Sequence, residues 1–185
     1  MGAPSAGSVR AAKAAIVMGM VLLFGAVAAQ PQEGGPQEQQ VKAAYLYKFG
    51  GYVEWPAEAF KEPGSPIVIG VAGDSAMANE VGKIVGNRTV NGRNVEIREI
   101  RQGEDIGNPH ILFVGRSQLA RLGEVASHRQ PILIVTDAAN GLEQGSIINF
   151  VTAGNRVRFE VSLDAAKRNT LKIAAPLLAV AMRVQ

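Results

Sequence analysis

The residues of this chain that could carry chemistry are few and scattered. There are two histidines and no cysteine in 185 residues. His110 stands at the start of an apolar run and His128 at the end of a helical one. Neither has a second histidine three or four positions away, so a zinc site is not expected. His110 reads as a core or strand-edge residue, and His128 as a cation suited to a helix C-terminus. Gly70-Val71-Ala72-Gly73-Asp74-Ser75 is a glycine-bearing turn between a strand and a helix, a place where open α/β sheets hold ligands. It matches neither Gly-x-Gly-x-x-Gly nor the Walker pattern, and no Lys follows to grip a phosphate. Its main reading is therefore a tight turn with a helix cap, with Asp74 and Ser75 as candidate ligand-binding residues. Gly115-Arg116-Ser117 lacks the second glycine of a nucleophile elbow. A hydrolase would require Asp74, His110 and Asp137 to converge from three separate segments. No catalytic residue, cofactor or metal site is expected.

A second group suits contact rather than reaction. Tyr45, Tyr47, Phe49 and Tyr52 are four of the ten aromatic residues, and the only Trp follows at Trp55. Tyr45 and Phe49, four apart, would pack one helix face onto the rest of the protein. Tyr47 and Lys48 lie off that face and are candidates for a partner surface. So are Arg156, Arg158 and Glu160, which alternate with the apolar Val157, Phe159 and Val161 and so share the outer face of a strand. Aromatic residues and Arg are also what binding hot spots use.

The elements that would hold these residues follow from periodicity. Val41 to Val53 has helical apolar spacing at Val41, Ala44, Tyr45, Phe49, Tyr52 and Val53, ended by Trp55-Pro56. Ile67–Val71, Ile111–Val114 and Ile132–Val135 are short branched apolar runs, which suit strands buried on both faces of a parallel sheet. Between them lie helices over Ser75–Val85 and Ser117–His128, each with a capping residue. Val95–Arg98 alternates and so belongs near a sheet edge or on a wet face. Ser146–Val151 and Arg156–Val161 read as an antiparallel hairpin with a four-residue loop. Helical stretches over Leu163–Asn169 and about Ala175–Met182 close the chain. The fold class expected is α/β: a three-layer sandwich with a mostly parallel central sheet and a C-terminal antiparallel hairpin.

The ends and the charge narrow the function classes. Arg10 and Lys13 precede an apolar stretch from Ala14 to Gly25, followed by Ala26-Val27-Ala28-Ala29, the pattern of a cleaved export signal over residues 1–29. The stretch falls short of the ~20 apolar residues of a membrane span. Without Arg10 and Lys13, seventeen basic residues face sixteen acidic ones, and no basic block suits a nucleic acid. Residues 30–40, polar and with two prolines, read as a flexible linker. Residues 41–185 read as one domain, large enough to do without disulfides.

Three blocks, in order, resemble the YfiR-like family of exported regulators. The first is Val41 to Phe49 with Tyr52-Val53-Glu54-Trp55-Pro56, and the second Pro109-His110-Ile111-Leu112-Phe113-Val114-Gly115. The third runs from Gly145 to Val151 and continues through Arg158–Val161, Leu171-Lys172-Ile173 and Leu177-Leu178. The loop Val90-Asn91-Gly92-Arg93 fits as well. The resemblance implies a non-enzymatic periplasmic domain, often dimeric. Such a domain contacts the periplasmic portion of an inner-membrane diguanylate cyclase, lowering cyclic-di-GMP output and biofilm formation, and an outer-membrane lipoprotein can sequester it. Asn108-Pro109 stands where family members commonly carry a cysteine, so redox tuning through that position is absent. Ser162, Thr170 and Ala174 also differ from the family's Asn, Gly and Ser. The alternative implied by the loops after Val71, Val114 and Val135 is a periplasmic small-solute-binding module without catalytic activity.

Overall fold

The structure is a computed structural model that describes residues 1–2 and 35–185. The expected export signal therefore lies, beyond its first two residues, outside the described residues. The chain divides into 1–32 and 33–185, and the fold below is that of the second unit.

In chain order the elements are α1 (Pro36–Phe49), β1 (Val53–Glu54), a 3-10 turn (Ala57–Ala59), β2 (Ile67–Ala72), α2 (Ser75–Val85), β3 (Thr89–Val90), β4 (Arg93–Ile100) and β5 (Ile111–Val114). A 3-10 segment (Arg116–Arg121) then runs into α3 (Leu122–Ser127), followed by β6 (Leu133–Thr136), β7 (Ile148–Ala153), β8 (Arg156–Val161), α4 (Leu163–Arg168), β9 (Lys172–Ile173), α5 (Ala175–Val180) and β10 (Arg183–Val184). Eight strands form one sheet in the order β10-β8-β7-β6-β5-β2-β4-β3. Strands β4, β2, β5, β6 and β7 run parallel, while β7–β8 and β3–β4 are antiparallel. A separate antiparallel pair, β1–β9, ties Val53 to Ile173.

Both faces of the parallel strands are covered, which is why their sequences are apolar without alternation. Ile69, Val71, Ile111, Phe113, Leu133 and Val135 join one core with Leu46 and Phe49 of α1 and Met77 and Val81 of α2. Leu112, Val114 and Ile134 join a second core with Leu122 and Val125 of α3. This is the expected three-layer α/β sandwich. Strand β4 alternates as expected and lies one short strand from the edge.

Several boundaries differ from the sequence reading, each for a physical reason. Helix α1 begins at Pro36 rather than after Gln40, so the last five residues assigned to a linker are helical. Proline is pre-organised for a first turn, and Glu38 pairs with Lys42 one turn on. The helix ends at Phe49, before the Gly50-Gly51 turn, and not at Val53. Its buried face is Lys42, Ala43, Leu46 and Phe49, whereas Val41 and Tyr52 are exposed.

The helix expected over Ser117–His128 is 3-10 in its first half. There the buried Gln118 leaves helical geometry and donates to the Ile100 carbonyl at 3.1 Å. The β7–β8 loop is two residues, Gly154-Asn155, both at positive φ (55° and 57°), not four. That left-handed pair matches the twist of a tight hairpin. The same chemistry at Asn91-Gly92 makes β3–β4 a hairpin. The last helix stops at Val180 rather than Met182, because the following residues extend and pair with β8: Met182 N–H donates to Phe159 O at 2.8 Å, and Gln185 N–H to Val161 O at 3.0 Å.

Candidate functional site at the strand-order reversal

From β2 the chain crosses to β4 on one side, then returns past β2 to β5 on the other. The order therefore reverses between β2 and β5, and the loops at their carboxyl ends part around a crevice. The crevice is a cleft of about 230 Å³ lined by Gln39, Lys42, Gly73, Asp74, Ala76, Met77, Arg116, Ser117 and Asp137. The two loops touch across its floor. Ser117 Oγ donates to the Gly73 carbonyl at 2.8 Å. Gly73 has φ +77°, and an added Cβ would lie 2.5 Å from Ser117 Oγ. Glycine at this position permits both the left-handed backbone and the close approach.

Asp74 is the N-cap of α2 and accepts from the Met77 amide at 2.8 Å. Gln39 of α1 donates to both its carboxylate oxygens, at 3.0 and 3.2 Å. Lys42, one of the most buried residues of α1, holds Glu38 at 2.7 Å and Asp137 at 2.8 Å. Burial alone would lower the pKa of its ammonium. The hydrogen bonds and charges of Asp137 and Glu38 outweigh that and raise it above the usual lysine value. Arg116 Nε lies 3.8 Å from Asp137 Oδ1, which has no hydrogen-bond donor. The cleft thus carries two cations and two carboxylates, gathered from α1, α2 and the loops after β2, β5 and β6.

The sequence-predicted residues distribute unevenly. Asp74 and Asp137 share this cleft, and Ser75 faces the neighbouring shallow pocket with its hydroxyl bonded to Glu99. His110 sits at the opposite end of β5, so the three-residue hydrolase arrangement is not assembled. Its Nδ1 accepts from the Val68 amide at 3.1 Å, its ring stacks on Phe60 at 4.5 Å, and Trp55 Nε1 donates to its carbonyl at 3.2 Å. Burial pushes its pKa below the usual histidine value; the Ala59 carbonyl opposes this and the Arg93 charge adds to it. His128 is exposed, with Nδ1 2.7 Å from the Glu124 carbonyl.

The aromatic block is mainly core. Phe49 stacks on Tyr45 and Phe150 at 5.8 Å and meets Phe159 edge-on at 5.3 Å. Tyr47 is half-buried and donates to the Thr89 carbonyl at 3.0 Å, while Lys48 is exposed. Arg156 and Arg158 are exposed, but Glu160 is occupied by Arg183 at 3.0 Å. Sequence reasoning missed Lys42, Gln39 and Arg116. The signal for Lys42 was a lysine on the same helical stripe as Leu46 and Phe49, three or four residues apart.

Fold and site together define a doubly wound α/β protein with a polar crevice at its reversal point and a dense aromatic core. The chain belongs to the YfiR/HmsC-like family, whose sequence model matches residues 39–182. At the level of the family this means a periplasmic regulator in diguanylate cyclase signalling. A search of curated proteins finds no match. No helix among the described residues is long and apolar enough to cross a membrane.

Proposed function

We propose that this protein is a non-enzymatic periplasmic regulator that inhibits a membrane-bound diguanylate cyclase by contacting the cyclase's periplasmic portion, lowering cyclic-di-GMP and restraining biofilm formation. The observation that carries the reading is the family match over residues 39–182. A contact surface suited to the role lies along the C-terminal margin. There Val180, Met182 and Val184 are 56%, 47% and 41% exposed, beside β10 at the sheet edge. Large apolar side chains left exposed beside an open strand edge are costly in a solitary protein and useful in a docking one. Arg156 and Arg158 of β8, exposed near that edge, would supply the polar rim, with Tyr47 and Lys48 of α1 a second candidate patch. The same margin would serve a homodimer or capture by an outer-membrane lipoprotein.

The test is to delete the gene and measure cellular cyclic-di-GMP, then complement with the native protein or with Met182→Asp/Val184→Asp. Deletion should raise cyclic-di-GMP, native protein should restore it, and the double variant should not. Unchanged levels on deletion in every growth phase would overturn the role; full complementation by the double variant would overturn the surface. A second reading, a solute-binding module, is favoured by the cleft at the strand-order reversal, and it is compatible with the first because occupancy can bias partner binding.

A further inference from the structure

We propose that the cleft between the β2 and β5 loops binds a small zwitterion bearing a primary ammonium and a carboxylate, that is, a free α-amino acid with a short side chain. Three observations lead there. The cleft sits at the one point of the sheet where the loops after two parallel strands diverge, the crevice that open α/β sheets use for ligands. Its volume of about 230 Å³ is below the roughly 300–1,000 Å³ taken by drug-sized ligands. Its unused hydrogen-bonding capacity is of both signs.

The cationic half is Arg116. Its side chain is half exposed and makes no hydrogen bond among the described residues; its nearest charged group is Asp137 at 3.8 Å from Nε. That contact orients the guanidinium and leaves both Nη groups for a carboxylate, which a planar fork grips bidentately. Ala76, in the first turn of the eleven-residue α2, also lines the cleft. The anionic half is Asp74. Met77 and Gln39 use Oδ1, and Oδ2 accepts only a 3.2 Å bond from Gln39, so Oδ2 keeps capacity for an ammonium.

A lone anion is disfavoured by Asp74 and Asp137, and a lone cation by Lys42 and Arg116. A molecule carrying both charges a few ångströms apart satisfies each wall. Because Gln39 and Lys42 reach the cleft from α1, an occupant would also tie that helix to the sheet loops.

The inference does not rest on the docking role, and it is tested on purified protein, where cyclic-di-GMP plays no part. Titration calorimetry would compare glycine, alanine and serine with acetate, ethylamine and glycine betaine. At least one amino acid should bind, and at least tenfold more tightly than acetate, ethylamine or the betaine, which has no N–H to donate. Arg116→Gln and Asp74→Asn should each weaken that binding at least tenfold. Arg116 is exposed, and Asn remains an effective N-cap, so unchanged melting curves would show both variants folded. Absence of amino-acid binding at millimolar concentration would overturn the proposal. So would equal binding of acetate, which would mark an anion site only, or tight binding that both variants retain.

Discussion

Lys42 gives the sharpest test of how the site is held together. Its ammonium lies within 2.8 Å of both Glu38 and Asp137, and its side chain is only 7% exposed. Lys42→Met keeps the stem but removes the charge, leaving two carboxylates facing each other without a cation between them. Removing one member of a buried ion pair costs about 3–5 kcal/mol. The carboxylates are 15% and 26% exposed here, and Arg116 stands by Asp137. Water and that second cation reduce the expected loss to about 2–3 kcal/mol.

For a domain of this size each kcal/mol shifts the midpoint by about 2–4 °C, so Tm should fall by about 4–12 °C. Lys42→Met/Asp137→Leu removes cation and acceptor together and should return to within about 1 kcal/mol of the native protein, since an apolar pair avoids the desolvation of both ions. Urea titrations followed by circular dichroism, with the slope unchanged, would measure each. A single-variant loss under about 0.5 kcal/mol, or a double variant worse than the single, would refute the account of Lys42 as a buried charge held by its two carboxylates.

Other consequences are testable in the same apparatus. Phe49→Ala removes the ring at the centre of the aromatic core and should cost about 3–5 kcal/mol, against under 1 for Lys48→Ala on the exposed side. Gly73→Ala should cost about 1–3 kcal/mol, since it strains a left-handed residue and meets Ser117, whereas Gly82→Ala, inside α2 with open space around it, should stabilise by about 0.5–1 kcal/mol. The pKa of His110 is lowered in the folded state, so the unfolded chain takes up its proton first as pH falls below about 6.5. Stability should therefore decline with falling pH from there to the folded-state value, and His110→Gln should flatten that slope; an unchanged slope would sink the assignment. Lys42, raised in the folded state, contributes stability that is present below about 10.5 and lost as pH climbs through its folded value.

Local features are legible wherever a short window of residues encodes them. The apolar runs at Ile67, Ile111 and Leu133 specify strands covered on both faces, because a half-exposed strand would alternate. Asp74 announces a helix start, and Val157, Phe159 and Val161 declare one face of a hairpin strand. The order of family-like blocks from Val41 to Leu178 was legible for the same reason, being a linear pattern. Which distant residues meet follows from the strand order instead. Lys42 and Asp137, 95 positions apart, and Gln39 and Asp74, 35 apart, become neighbours because β2 is inserted between β4 and β5 and α1 lies over their ends. The same placement parts Asp137 from His110, which stands at the far end of β5. The sequence carries a helical pattern to about Met182, yet the helix stops at Val180 and the chain extends into β10, because the open edge of β8 offers hydrogen bonds that a continuing helix would leave unused. Local period is written in adjacent side chains; strand order, and the charges it brings together, is settled by which long-range pairing buries the most surface with its polar groups satisfied.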